Sequence, residues 1–343
     1  MSGEGVADME DFKIFDSHAH YDDEQFDADR DELFAGFASV GTKNFVTPAD
    51  CQAAAEGRPK AAADAEDSDG IMPESSPKAR VARIVNVGAI VHGSLESVAL
   101  AHRYDFVYAA VGVHPDEAGE VCYCEQNAGS DAGRPEDSAV NPNFARLTPA
   151  VCANNFSLLA ALAQDDKCLA IGEIGLDYHW NVWPKEVQQE AFKKQWELAF
   201  ELNKPVIIHS RDAAEDTMTI VRDIYRKAQE SGREFRALMH CYSYSPEQAR
   251  EYLSMGMYFG IGGVITFKNS KKLKETVAEL PLDKILLETD CPYLAPEPFR
   301  GSRNNSGYLT YVAEKIAEIK GISVAEVYEA SYANACRFFG LAE

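Results

Sequence analysis

Eight short apolar runs, most of them separated by stretches with helical spacing, constrain this chain more than any other feature. They are Lys13 to Phe15, Ile84 to Val87, Phe106 to Val111, Cys168 to Gly172, Val206 to Ile208, Ala237 to Met239, Tyr258 to Ile261 and Ile285 to Glu288. Apolar runs this short, bounded by polar or turn residues, read as buried parallel strands. Between them, Glu186 to Asn203 carries Phe192, Trp196, Ala199 and Phe200 on one helical stripe, and Pro205 marks its break. Further helices are expected around Leu33, over Leu95 to Tyr104, up to Asp165, and over Thr217 to Gln229. Others follow at Pro246 to Met255 with Ser245 as cap, at Lys271 to Glu279, and at Tyr308 to Lys320. The C-terminus reads as two helical pieces, from Val324 to Tyr328 onward and from Ala330 to Phe338. The alternation predicts an α/β chain of (β/α)8 barrel type, one domain over residues 12 to 341. A doubly wound open sheet would carry fewer strands, and it leaves unexplained why polar residues recur after both early and late runs.

Those polar residues are His18 and His20, His114, Glu173, His209, His240 and Asp290. Strand side chains alternate faces, so two histidines one residue apart can point the same way and share a metal. Each residue alone has an ordinary explanation. A single histidine after a strand is commonly a satisfied polar group, Glu173 could be a helix cap or a surface charge, and Asp290 before Cys291-Pro292 could start a turn. Closure of a barrel, however, brings the ends of strands one, four, five, six and eight around one mouth, where active sites of this fold lie. Carboxylates and neutral imidazoles together suit Zn, Mn or Mg, and Glu173 is the central candidate for a bridging anion between two ions.

With 33 basic and 55 acidic side chains the formal charge is -22. Such a surface excludes binding nucleic acid along a general basic track, and it predicts a local site where metal ions invert the field. No apolar run is long enough to span a membrane. The first residues are acidic and lack the features of a secretory signal, so a cytoplasmic setting is expected, with the eight cysteines reduced and none in a CxxC pair. Two acidic, polar stretches, 48 to 80 and 116 to 149, read as insertions or long loops within the domain, although Cys122, Tyr123 and Phe144 point to local packing in the second.

In order along the chain, the motifs FDSHAH (15 to 20), GVHP (112 to 115), GEIGLD (172 to 177), PVIIHSR (205 to 211), MHCY (239 to 242), ETDCPYLAP (288 to 296) and RGSRN (300 to 304) resemble the TatD family of metal-dependent hydrolases, within the amidohydrolase-like barrels. The resemblance covers Lys13 to Leu341. It implies that His18, His20, Glu173 and Asp290 bind one divalent ion and that Glu173, His209 and His240 bind a second, with Mg for activity and Zn or Mn as other possibilities. It implies a deoxyribonuclease with exonuclease action, in which a metal-activated water cleaves the phosphodiester while Asp290 orients its proton and Glu173 serves as the shared ligand. By the same resemblance His114 sits on the phosphate side rather than among the primary ligands. Arg211 and Arg303 are candidate phosphate contacts, the alternative for Arg303 being a salt bridge that holds the last loop.

The chain departs from the family pattern at two motifs, and its stretches 48 to 80 and 116 to 149 are larger than a minimal member needs. Tyr242-Ser243-Tyr244 stands where a Phe-Ser/Thr-Gly turn is usual, which makes Tyr242 a further candidate at the substrate, and Asn305-Ser306 replaces a usual Glu-Pro. These bear on substrate choice rather than on hydrolysis. DNA is the expected partner, as single strands or short ends that avoid an unstacking cost, with no membrane and no required protein partner. Two alternatives stay open: hydrolysis of an amide or ester bond in a small substrate or aminoacyl group, and a non-catalytic metal-binding module.

Overall fold

In the computed structural model, which describes residues 12–37, 78–122 and 147–343, the eight apolar runs are strands. They are β1 (Phe12–Ala19), β2 (Ala79–Val87), β3 (Val107–Val111), β4 (Cys168–Asp177), β5 (Val206–Arg211), β6 (Ala237–Met239), β7 (Tyr258–Ile261) and β8 (Ile285–Leu287). The sheet runs in sequence order from β1 to β8, and the pairs from β3 to β7 are parallel. A parallel bridge between Ala19 and Cys291 sets the end of β1 beside the segment after β8. This is the (β/α)8 barrel that the alternation predicts. It comprises two compact units, one made of the chain up to Ile84 with Ile261–Ala335, the other of Val85–Gly260 with Cys336–Ala342.

In the second unit, β4 is buried over all ten residues. The apolar run in the sequence predicts this strand only from Cys168 to Gly172. The chain instead continues in period two: Ile174 and Leu176 are wholly buried, while Glu173, Gly175 and Asp177 alternate with them. Gly175 lies opposite His209 in the β4–β5 register, and a Cβ there would stand 1.9 Å from the His209 carbonyl oxygen. Its φ of +152° is equally closed to other side chains. Glycine at 175 is therefore what lets β5 lie close enough to bring His209 to β4. Behind this pair, α4 (Lys185–Glu201) buries Trp196, stacked on Phe235 at 5.6 Å; sinking a side chain of this size contributes about 3 kcal/mol.

The remaining helices are α1 (Arg30–Phe37), α2 (Val91–Arg103), α3 (Pro149–Leu162), α5 (Ala214–Ser231), α6 (Pro246–Ser254), α7 (Lys271–Glu279), α8 (Leu309–Lys320) and α9 (Val324–Phe339). Ser245 caps α6 as its sequence indicates, accepting from the Gln248 N–H. The two helical pieces expected at the C-terminus are one continuous helix, α9. Residues 48–77 and 123–146 of the two acidic stretches lie outside the described residues. Their ends are ordered differently from the expectation of exposed loop: Ala79 and Arg80 already belong to β2. Pro115–Glu120 forms a 3-10 helix that, with the next two residues, buries Ala118, Val121 and Cys122. Thr148 and Pro149 open α3, the threonine hydroxyl accepting from the Val151 N–H. The six cysteines among the described residues are free thiols, and none of the described helices is long and apolar enough to cross a membrane.

Candidate metal centre

In the first unit, β1 carries His18 to its end and the chain turns just beyond it at His20. Their Nε2 atoms lie 3.2 Å apart. Asp290, just past β8, places Oδ1 3.4 Å from His20 Nε2 and 3.8 Å from His18 Nε2. Two imidazole nitrogens that close share at most one proton, whereas a divalent ion satisfies both lone pairs and the carboxylate at once, so the donor set fits a metal. Asp290 reaches this position with a left-handed φ of 58°, and its N–H donates to the His18 carbonyl at 2.9 Å. A strained backbone held by a ligand's own neighbour is an arrangement common at functional sites.

Asp16 fixes the two segments to each other. Its Oδ1 accepts from the Thr289 N–H at 3.0 Å and the His18 N–H at 3.3 Å, and its Oδ2 accepts from the Thr289 and Ser306 hydroxyls, both at 2.7 Å. Burial pushes the Asp16 carboxyl up, to about 7, against the pull of these donors. The departure at Asn305-Ser306 is thereby explained. Asn305 caps a 3-10 turn by accepting from the Gly307 N–H at 2.9 Å, in place of a rigid proline, and Ser306 supplies a donor to Asp16 that proline lacks.

For Arg303, of the two readings the sequence leaves open, the structure shows the salt bridge. Its guanidinium is engaged by Asp29 in a two-pronged pair at 2.8 and 2.6 Å, donates to the Gln25 carbonyl at 2.7 Å, and lies over the Phe26 ring. With its side chain 12% exposed, the fork is committed to holding the loop rather than to a phosphate. Arg303→Met is accordingly expected to lower stability by about 2 kcal/mol while hydrolysis persists, as read by urea unfolding beside a rate assay. A rate that collapses with unchanged stability would restore Arg303 to the substrate.

In the second unit, Glu173 is the hub. Its Oε1 lies 2.6 Å from His209 Nδ1, 3.7 Å from His240 Nε2 and 4.0 Å from His114 Nε2. Glu173 is 4% exposed and His240 5%. His209 turns its other nitrogen, Nε2, to Asp177 Oδ2 at 3.0 Å. That partner fixes the ring so that Nδ1 is the nitrogen facing Glu173, the role a carboxylate plays behind a ligating imidazole. Burial alone pulls the His209 pKa down, but the charge of Glu173 and the hydrogen bonds to Asp177 and Glu173 outweigh it and hold the ring up at about 10. A divalent ion taken up at Nδ1 therefore has to displace a proton. Near pH 8, loading is expected to release that proton, so calorimetric heats of metal binding should vary with the ionisation enthalpy of the buffer; identical heats in every buffer would contradict it. The sign for the metal-free protein follows. A histidine raised above its ordinary 6.5 stabilises the fold below that pH, and the contribution is lost as pH rises through about 10.

Asp177 and Asp116 were not among the candidates from sequence. Asp177 belongs to the same face of β4 as Glu173, and the two-residue alternation was the signal for it. Asp116 follows His114: its N–H donates to His114 Nδ1 at 3.2 Å and its Oδ2 lies 3.6 Å from the same atom. Burial, with the charges of Asp177 and Glu173, pushes Asp116 up to about 6. His114, expected on the phosphate side, thus shares its surroundings with Glu173 and His209 in one group of donors and with Asp116 and Asp177 in another. Arg211 is exposed at the end of β5, two residues past His209. Tyr242 requires a correction. It is 2% exposed, its ring lies edge-on to Phe259 at 5.2 Å, and its hydroxyl donates to the Ser245 carbonyl at 2.6 Å. It is part of the packing under the loop and offers no polar atom to a substrate.

The family model described as "TatD related DNase" matches residues 15–340. The chain belongs to this family. A metal-dependent hydrolase from Bacillus subtilis, YabD, itself uncharacterized, is 36% identical over 326 residues, covering 95% of this chain and 98% of its own. A Cronobacter sakazakii protein named as the 3'-5' ssDNA/RNA exonuclease TatD is 30% identical over 275 residues, 78% of this chain and 90% of its own. The crystal structure of the Escherichia coli TatD homologue YJJV aligns with a TM-score of 0.67 at 22% identity, over 96% of this chain and 98% of that one, a likeness of fold. As a TatD-family protein the chain is a metal-dependent hydrolase, and the second unit holds groups of imidazole and carboxylate donors able to take a divalent ion, while His18, His20 and Asp290 lie together in the first. Such an ion, when bound, polarises the bond to be broken and lowers the pKa of water. Asp177 fixes the orientation of the His209 ring, and Asp16 keeps His18 and Asp290 in register.

Proposed function

We propose that this TatD-family hydrolase is an exonuclease acting on the ends of single-stranded DNA, with two divalent ions, Mg for turnover. In this reading His18, His20, Asp290 and Glu173 hold one ion, and Glu173, His209 and His240 hold the other, with Glu173 shared between them. The observation that carries it is Arg211, an exposed guanidinium two residues beyond a ligating histidine in a chain of charge -22. A forked cation two residues from a candidate metal donor suits a phosphodiester better than an uncharged amide or ester. The name of the Cronobacter relative supports the same substrate class. Asp290 orients the attacking water and accepts its proton, a task open to a carboxylate within hydrogen-bond reach. His114 and Arg211 hold the phosphate, the guanidinium through its forked donors.

The test is hydrolysis of end-labelled single-stranded DNA by metal-stripped protein refilled separately with Mg, Mn or Zn. Metal-dependent shortening from one end is expected. Absence of cleavage with every ion, in folded and metal-loaded protein, would pass the assignment to amide or ester hydrolysis of a small substrate.

A further inference from the structure

The turn after β4 carries Trp180, whose side chain is 51% exposed. The other two tryptophans, Trp183 and Trp196, are 5% and 2% exposed. A large ring kept in water costs hydrophobic free energy, and the backbone that carries this one is fixed. The N–H groups of His179 and Trp180 donate to Asp177 Oδ1 at 2.9 and 3.2 Å, while Oδ2 of the same carboxylate holds His209. The Arg211 guanidinium lies 5.5 Å from the centre of the Trp180 ring, a cation–π distance, and Arg211 pairs with Asp177 in the β4–β5 register. His179 stands edge-on to Trp180 at 4.8 Å and is itself tied to Asp212 at 2.9 Å. An exposed aromatic ring and a guanidinium thus stand side by side on backbone segments that flank Asp177, whose carboxylate also holds His209.

We infer that Trp180 and Arg211 form a stacking subsite for the nucleobase next to the scissile phosphate, with Arg211 bridging from the ring to that phosphate. This rests on the exonuclease reading and adds to it a reason for single strands. An unstacked base offers its face to the indole, whereas a base inside a duplex does not. Because every base has such a face, the subsite is expected to tolerate sequence while requiring a base.

The test pairs Trp180→Ala and Trp180→Phe with oligothymidylate and with the same oligonucleotide made abasic at its terminal positions. The wild-type enzyme is expected to prefer the base-bearing substrate by about 10- to 100-fold in kcat/KM, the usual weight of one aromatic–base stack. Trp180→Ala is expected to bring that preference close to one, and Trp180→Phe, which keeps a ring, to retain most of it. Separately, emission of the exposed Trp180 in metal-loaded protein should be quenched by a phosphorothioate-protected oligothymidylate and not by its abasic counterpart. Absence of that quench overturns the subsite whatever the hydrolysis assay gives. Cleavage of DNA with an undiminished preference in Trp180→Ala also overturns it and leaves the exonuclease reading standing. A base-dependent quench without cleavage establishes the subsite and overturns the exonuclease.

Discussion

Glu173→Gln is expected to lower kcat/KM on single-stranded DNA by about 1,000-fold or more, near 4 kcal/mol of transition-state stabilisation. Glutamine keeps the shape and one oxygen but removes the charge, and three histidines face that oxygen: His209 at 2.6 Å, His240 at 3.7 Å and His114 at 4.0 Å. A neutral ligand would balance an ion there less well, and Asp177 is already engaged on the far nitrogen of His209. A second readout separates lost charge from lost fold. The His209 ring, held up at about 10 chiefly by the Glu173 charge against burial, should titrate at lower pH in metal-free Glu173→Gln. Histidine resonances followed by NMR would show this. A variant with wild-type turnover would remove Glu173 from the centre of the site.

Asp16→Ala is the second large effect, expected to cost about 3 kcal/mol or more of stability in urea unfolding. The alanine removes an acceptor for two hydroxyls and two backbone N–H groups, leaving donors of Thr289, Ser306 and His18 buried without it. Hydrolysis should fall further than stability alone accounts for, since those donors hold the segments bearing His18 and Asp290. Asp16→Asn, which retains one acceptor oxygen, should lie between. A pH series adds a sign. A carboxyl raised to about 7 makes the native state take up a proton that the unfolded chain does not, so its contribution falls as pH rises from about 4 to 7. That slope should be absent from Asp16→Asn, and its persistence would show that Asp16 is not its source.

Much of the barrel was legible because period-two and helical spacing are local signals, and the strand ends named the donors. The limits of that reading are physical. The expected strand stops at Gly172, one residue short of Glu173; a charge inside a buried strand is costly, and the histidines brought to Glu173 from other elements offset that cost. Arg303 has its partner, Asp29, 274 residues away, and no local pattern carries that pairing. Tyr242 could be read as lining a mouth only while its hydroxyl was without an assigned acceptor. Ser306 looked like a lost proline until Asp16 stood beside it. Asp177 had a signal, its shared face with Glu173, that the early strand end concealed.

The clasp at Asp16 also bears on when this protein can acquire its metal. Thr289 lies 273 residues beyond Asp16, so a chain emerging from the ribosome exposes His18 and His20 long before their partner Asp290 has been made. Contacts of such sequence separation form late. Until then the two imidazoles are an incomplete claim on any ion that passes, and the third donor arrives together with the hydroxyls that close on Asp16. Translation thus imposes an order in which His18 and His20 are made well before Asp290, and a chain interrupted between them keeps the histidine pair without the aspartate beside it.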